Sequence, residues 1–342
     1  LMLFCHMFMS WGEFISLKNI YKAWVDFSGN KKNKKDVINF KMNLEEQILS
    51  IWQDLTAGAY KHGSYTTFTV YDPKKRVIHK AIVRDRVVHR LLYNYLLYIF
   101  NRQWLDCSFA CRPGFGQHLS IDKVKKAIGR ITRNYNREYI CVKCDIKKFF
   151  DNIDHSILYK LVCHKVYEPN MRQLLGRVIN SYRCGLSPVG IPIGNLTSQV
   201  FANVYLHELD LFAKHILKLK YYYRYADDFI FLLNTKNEAE EIVKKFINFL
   251  KNNLGLELHP NKIIIRQASH GIDWLGKLLM PCHSLLRYST ARRMIRNIKN
   301  KVNSGITAGE LKATISSYNG LLAGTARRKI NEQVRQSLAF YR

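Results

Sequence analysis

The pattern of apolar positions changes period several times along this 342-residue chain, and each change marks an element. Leu44, Ile48, Ile51, Trp52 and Leu55 share one helical face, following a basic break, GNKKNKKD, at 29–36. The period then drops to two in YTTFTVYDPKKRVIHKAIV (65–83), which predicts a hairpin turning at Asp72 and Pro73. A helix is expected from about Asp85 to Phe100, and a buried strand, YICVKCDI, over 139–146. From Leu196 to about Leu217, Phe201, Val204, Tyr205, Leu209, Phe212 and Ile216 mark a helix with Thr197 and Ser198 at its start. The stretch YYYRYADDFIFLLN (221–234) reads as a second hairpin with Asp227 and Asp228 at its turn. An amphipathic helix covers 236–254: Glu238, Glu240 and Glu241 lie early, Ile242, Phe246 and Leu250 face inward, and Gly255 ends it. Short strands are expected near 262–266 and 273–279, and the chain from about Ser284 is helical and basic.

Strand, helix, strand pair, helix, strand is the split βαβ order of a ferredoxin-like sheet, so the fold class is α+β. Composition adds a partner. Lys and Arg number 54 against 26 Asp and Glu, a net charge of +28, which points to a polyanion such as nucleic acid. The CVKC pair, Cys141 and Cys144, has zinc-knuckle spacing but lies in a strand with no second pair, so both are expected in the core. Cys107 and Cys111 likewise lack a partner set, which suits a reducing, intracellular compartment. The opening LMLFCHMFMSWGEF is shorter than a membrane-spanning helix requires and reads as a docking segment.

Against so much positive charge, two adjacent aspartates between apolar strands need a reason. In a ferredoxin-like sheet the strand ending on Asp145 and the 221–234 hairpin are neighbours, so Asp145, Asp227 and Asp228 are expected to converge at one edge. Three like charges repel, and hard divalent cations such as Mg²⁺ relieve that repulsion. Because neighbours along a strand point oppositely, Asp227 is expected as the direct ligand and Asp228 as partly supporting it. An Asp-Asp turn taken alone is more often only a turn.

The ordered set of motifs resembles that of reverse transcriptases over roughly residues 40–342. YADD at 225–228 resembles their YxDD box, and CDIKKFF at 144–150 the strand bearing the first catalytic aspartate. SFACRPGFG (108–116) resembles the segment before the palm, GIPIGNLTSQ (190–199) the template and nucleotide motif, and DWLGKLL (273–279) the primer grip. The resemblance implies a right-hand polymerase with fingers, ferredoxin-like palm and helical thumb. Its divisions are an N-terminal segment at 1–41, fingers at 42–138 with 159–195, palm at 139–158 with 196–283, and thumb at 284–342. It implies two Mg²⁺ ions, with Mn²⁺ as a substitute, at Asp145, Ile146, Asp227 and Asp228. Phe150, beside Phe149, takes the place of a steric gate against a 2′-hydroxyl; one of these two rings is expected to be ordinary core. Ile146, Pro192, Ile193, Gly194, Gln199, Tyr225 and Ala226 complete the substrate side, and Trp274, Leu275 and Gly276 the primer grip. For the triphosphate, clustered cations suggest Lys74, Lys75 and Arg76, with Arg84 and Arg86 close behind. Lys262 matches in placement a general acid for the pyrophosphate.

Within the family, IPIGNLTSQ followed by VFANVYLHELD looks most like the enzymes of diversity-generating retroelements of bacteria and phages. Ile193 stands where many reverse transcriptases carry Gln and offers only apolar contact, so looser base selection at template adenines is expected. Such an enzyme is expected to be compact and cytoplasmic, without an RNase H domain. Its partners would be template RNA, primer and cDNA, dNTPs, a structured noncoding RNA and a small basic accessory protein, with no membrane. Retron, abortive-infection and group II intron-derived enzymes share the boxes. A non-catalytic RNA-binding scaffold is the rival of another class, and Phe150 argues against an RNA-dependent RNA polymerase.

Overall fold

The structure, a computed structural model, describes residues 9–71 and 75–325 together with Glu332, Gln336 and Ala339. Most of the apolar opening, the Asp72–Pro73 turn, Lys74 and the end of the expected thumb therefore lie outside the described residues. Four helices come first: α1 (Trp11–Phe14), α2 (Leu17–Ser28), α3 (Lys35–Met42) and α4 (Leu44–Thr56). The hairpin β1 (Tyr65–Val70) and β2 (Arg76–Ala81) follows, then α5 (Val83–Phe100), α6 (Gln117–Thr132), β3 (Ile140–Asp145), α7 (His155–Cys163), α8 (Pro169–Ile179) and α9 (Leu196–Leu211). The second hairpin is β4 (Tyr222–Tyr225) and β5 (Asp228–Leu233), followed by α10 (Lys236–Leu254) and β6 (Ile264–Gln267). Three short strands, β7 (Ile272–Trp274), β8 (Lys277–Leu279) and β9 (Ser284–Leu286), lead to α11 (Tyr288–Asn303) and α12 (Ala308–Leu322).

The chain divides into two compact units: Leu1–Arg112, Ile146–Leu217 and Lys245–His259 form one, and Pro113–Asp145, Lys218–Lys244 and Pro260–Arg342 the other. The second holds a four-stranded antiparallel sheet in the order β4-β5-β3-β6, with the first strand lodged between the third and fourth. Register and the two-residue side-chain period decide the faces. Tyr223, Tyr225, Asp228, Ile230, Cys141, Lys143, Asp145, Ile264 and Arg266 share one face, because each lies opposite another member across the ladder. Behind the acidic end, that face packs on α6 through Ile121, Val124 and Ile128 and on Trp274 and Leu279. Each such fully buried aliphatic side chain contributes roughly 1.5–3 kcal/mol.

Residues 273–279, expected as one strand, are two. Leu275 (φ 49°) and Gly276 (φ 83°) turn the chain between β7 and β8, the second at a left-handed backbone angle that glycine takes without penalty. In α11, Ala291, Met294 and Ile298 are buried and cluster with Ile315 and Leu322 of α12, whose start carries a Thr307–Glu310 capping box.

In the first unit α5 is central and packs on α2 and α9, while α9 packs on α7. Val87, Val88, Leu91, Leu92 and Leu96 of α5 are buried, as is Asp85 in its first turn. That carboxylate accepts from Tyr60 Oη (2.8 Å) and from the Gly63 amide (2.9 Å), so its burial is matched by donors. Cys141 and Cys144 are core residues, and burial pushes both thiols up, Cys144 to about 12.

Candidate active site

The register of β3 against β5 places Asp145 directly opposite Asp228, side by side on one face at the end of the sheet. Asp227 lies in the two-residue turn between Tyr225 and Asp228, which are themselves a ladder pair. The turn requires Ala226 to take φ 54°, a left-handed conformation costing a residue with a Cβ roughly 1–2 kcal/mol. It is held from beneath: Arg224, fully buried, donates from Nη1 to the Ala226 carbonyl at 3.1 Å. Tyr225 is half-buried against the α6 core. The pair facing across the ladder is thus Asp145 and Asp228, where strand alternation alone favoured Asp227 as the direct ligand.

Two lysines answer the acids. Lys262 Nζ lies 2.6 Å from Asp145 Oδ1, and Lys143 Nζ lies 3.8 Å from Asp228 Oδ1. Among the described residues no three His, Cys, Asp or Glu side chains already stand at metal-holding distances. The donor set nevertheless fits a hard divalent ion: it is all carboxylate oxygen, and the acids repel one another. Burial first, then the charges of Asp228 and Asp145, push the Asp227 carboxyl up to about 6. Ile146, the next residue along, is buried, and its hydrocarbon side chain carries no donor atom, so only its main-chain oxygen is a candidate ligand.

The raised Asp227 pKa has a definite sign. The folded protein holds that proton more tightly than the unfolded chain, whose carboxyl titrates near 4. In metal-free protein the resulting stability is complete below about pH 4 and is lost as pH rises through about 6. Subtracting the Asp227→Asn pH–Tm curve from that of wild type should give a difference that declines across this window. A flat difference would show that Asp227 is not electrostatically confined.

The remaining nucleotide-side candidates belong to the first unit. Phe149 is buried, with Phe150 and Tyr205 around it, whereas Phe150 is only half-buried, so Phe149 is the core member of the pair. The Phe150 carbonyl accepts from the Ile191 amide at 2.8 Å, joining this ring's backbone to the 190–195 loop. That loop is docked on β2: the His79 amide donates to Ile193 O (3.0 Å), and Asn195 bonds both Ala81 N (3.2 Å) and His79 O (2.7 Å). Gly194, at φ 110°, permits the approach, since a Cβ there would lie 2.6 Å from Ile78 Cγ2. The buried Pro192 has its carbonyl bonded by Ser198 Oγ (2.8 Å), Ile193 is half-buried, and Gln199 is exposed. Lys75 and Arg76 are exposed at the start of β2. Arg84 and Arg86 are engaged elsewhere, in ion pairs with Asp54 and Asp36.

In the segment expected as a primer grip, Trp274 is fully buried and donates to Ser120 Oγ at 2.9 Å, so its indole supports the turn from below. The Leu275 and Gly276 carbonyls accept from Gln117 Nε2 (2.8 Å) and the Arg287 amide (3.0 Å).

The family described as reverse transcriptase (RNA-dependent DNA polymerase) matches this chain over residues 61–279, well over half its length and spanning β3 and the YADD turn. The chain belongs to the reverse transcriptase family. Similar proteins include Protein YkfC of Escherichia coli, 24% identical over 299 residues, covering 75% of this chain and 76% of that protein. The group II intron-encoded protein LtrA of Lactococcus lactis is 25% identical over 302 residues, 68% of this chain but only 49% of LtrA. This reverse transcriptase thus spans about half the length of that intron protein. Two solved telomerases share the fold at 10% identity and a TM-score of 0.52. The Candida albicans enzyme with a telomeric RNA fragment covers 84% of this chain and 57% of its own; the apo Candida tropicalis enzyme covers 85% and 67%. The fold is accordingly that of a right-hand polymerase. Among the described residues no helix is long and apolar enough to cross a membrane.

Three residues of this reverse transcriptase were not singled out in the sequence: Lys143, Arg224 and Asn195. A charged residue inside an otherwise apolar strand was the available signal for the first two; an Asn directly after a loop glycine was the signal for the third.

Proposed function

We propose that this chain is an RNA-directed DNA polymerase that copies an RNA template into cDNA with its centre at Asp145, Asp227 and Asp228. The observation that carries the reading is the direct pairing of Asp145 with Asp228 at the end of the sheet, beside the Asp227 turn. Those carboxylates would hold two Mg²⁺ ions, which supply a more acidic primer 3′-hydroxyl and charge stabilisation for the departing pyrophosphate. Lys262, only 39% exposed and already at the acidic edge, is placed to give its proton to pyrophosphate once it leaves Asp145. Lys75 and Arg76 bind the triphosphate, with Lys74 beside them in sequence. Phe150 excludes the 2′-hydroxyl. The reading divides the chain into N-terminal segment 1–41, fingers 42–138 with 159–195, palm 139–158 with 196–283, and thumb 284–342.

At the finer level we propose error-prone copying opposite template adenines, as in a diversity-generating retroelement, with a structured RNA and a small basic protein as partners. Ile193 supports this: its loop is braced on β2 by Asn195, and its side chain offers the nucleotide no hydrogen bond. A group II intron-type enzyme is the second reading, favoured by the likeness to the intron-encoded LtrA. Extension of a primer on a defined adenine-rich RNA, followed by cDNA sequencing, tests both levels. No dNTP incorporation refutes the polymerase. Errors concentrated at adenines favour diversification, and uniformly low errors favour the intron type. Ile193→Gln is expected to lower adenine misincorporation about tenfold, the equivalent of about one lost or gained hydrogen bond. An unchanged error spectrum removes Ile193 from base selection.

A further inference from the structure

Lys143 has no place in the mechanism above, yet its position costs the fold something. It lies on the same face of β3 as Asp145, opposite Ile230 on one side and Ile264 on the other. With its side chain only 19% exposed, the lysine gives up rotamer freedom and part of its hydration, which its partners must offset. Filling space is not the reason: a cavity of about 380 Å³ lies beside it, lined by Cys141, Lys143, Ile264, Ile272 and Asp273 among others. Its partners are specific. Nζ donates to the Asp273 carbonyl at 3.1 Å, lies 6.0 Å from the centre of the Trp274 ring, and reaches within 3.8 Å of Asp228 Oδ1. One lysine thus spans from an acid of the catalytic edge to the strand that enters the 275–276 turn.

We propose that Lys143 is a positioning residue, an internal counter-ion that holds Asp228 beside Asp145 and ties it to β7 before any divalent ion arrives. The inference rests on the reading of the acids as an ion-holding centre. It gives the two lysines different tasks. Lys262 is 39% exposed at the end of the short turn Pro260–Lys262, and it can leave Asp145. Lys143 is 19% exposed and bonded to main chain, so its charge stays when the centre is loaded.

The test compares thermal unfolding of the full chain in EDTA and in saturating Mg²⁺ for wild type, Lys143→Gln and Lys143→Arg. Gln keeps a donor for Asp273 and removes the charge; Arg keeps the charge. Lys143→Gln is expected to lower the metal-free Tm by about 2–4 °C and to regain most of it with Mg²⁺, giving a larger Mg²⁺-induced shift than wild type. Lys143→Arg should keep the wild-type shift, and in an Asp228→Asn background Lys143→Gln should no longer alter it. For Lys143→Gln the kcat for primer extension should fall about tenfold with KM for dNTP within about twofold, the pattern of stabilisation lost only in the transition state. Equal Tm losses with and without Mg²⁺, persisting in Asp228→Asn, would overturn the proposal and leave Lys143 a packing residue. A wild type that shows no Mg²⁺ shift at all gives a different failure, that of the ion-holding reading itself.

Discussion

Asp145→Asn is expected to reduce Mg²⁺-dependent primer extension with dNTPs by at least about a thousandfold while leaving RNA affinity within about twofold. The amide keeps the shape of the side chain and removes one of the three negative charges at the edge of the sheet. Ion-mediated stabilisation of the transition state is worth several kcal/mol, and each 1.36 kcal/mol is about tenfold in rate. The substitution also releases Lys262, whose 2.6 Å ion pair with Asp145 needs a charged acceptor. Binding should persist because it comes from the +28 charge of the whole chain, a sum that changes little when one carboxylate is neutralised. Single-turnover extension and RNA titration on the same preparation separate the two effects. Extension at wild-type rate would remove Asp145 from the reaction.

Phe150→Ala has the second largest expected effect, on sugar choice. The half-buried ring is joined through its backbone to the 190–195 loop, whereas Phe149 is closed into the core beside Tyr205. A pocket that does not clash with an added hydroxyl rejects it by only about a hundredfold. Removing the ring is therefore expected to bring the preference for dNTP over rNTP, measured as a ratio of kcat/KM, down to that order or below. The rate with dNTP should fall much less. Phe149→Ala is the contrasting variant: emptying a core site costs about 3–5 kcal/mol, so it should lower Tm without admitting rNTPs. Equal sugar selectivity in Phe150→Ala and wild type would show that another group guards the 2′ position.

Residues that act through local pattern are legible in the sequence. The alternation in 65–70 and 76–81, the helical face of α4 and the acidic first turns of α10 are short-range signals, set by side-chain period and capping. Helices α7 and α8 carry such signals too: Asp154 caps one, and Glu168 with Pro169 begins the other. The break of 273–279 into two strands was legible in Gly276. The family, too, lay in the order of the boxes, since the matched region 61–279 runs from the first hairpin to the end of β8.

Other features depend on partners far along the chain, and sequence spacing is silent about those. Arg84 and Arg86 look like free phosphate ligands until Asp54 and Asp36 are folded against them. Trp274 reads as a contact surface but is buried on Ser120, from a helix 154 positions earlier in the chain. The sequence by itself determined the elements, the basic charge and the acids available for chemistry, because each is a property of neighbouring residues. Only the tertiary structure decided that Asp228 stands opposite Asp145, that Phe149 rather than Phe150 is core, and that Lys143 reaches Asp228. Ladder register and packing set those three, and both arise from long-range contacts whose energies no local window contains.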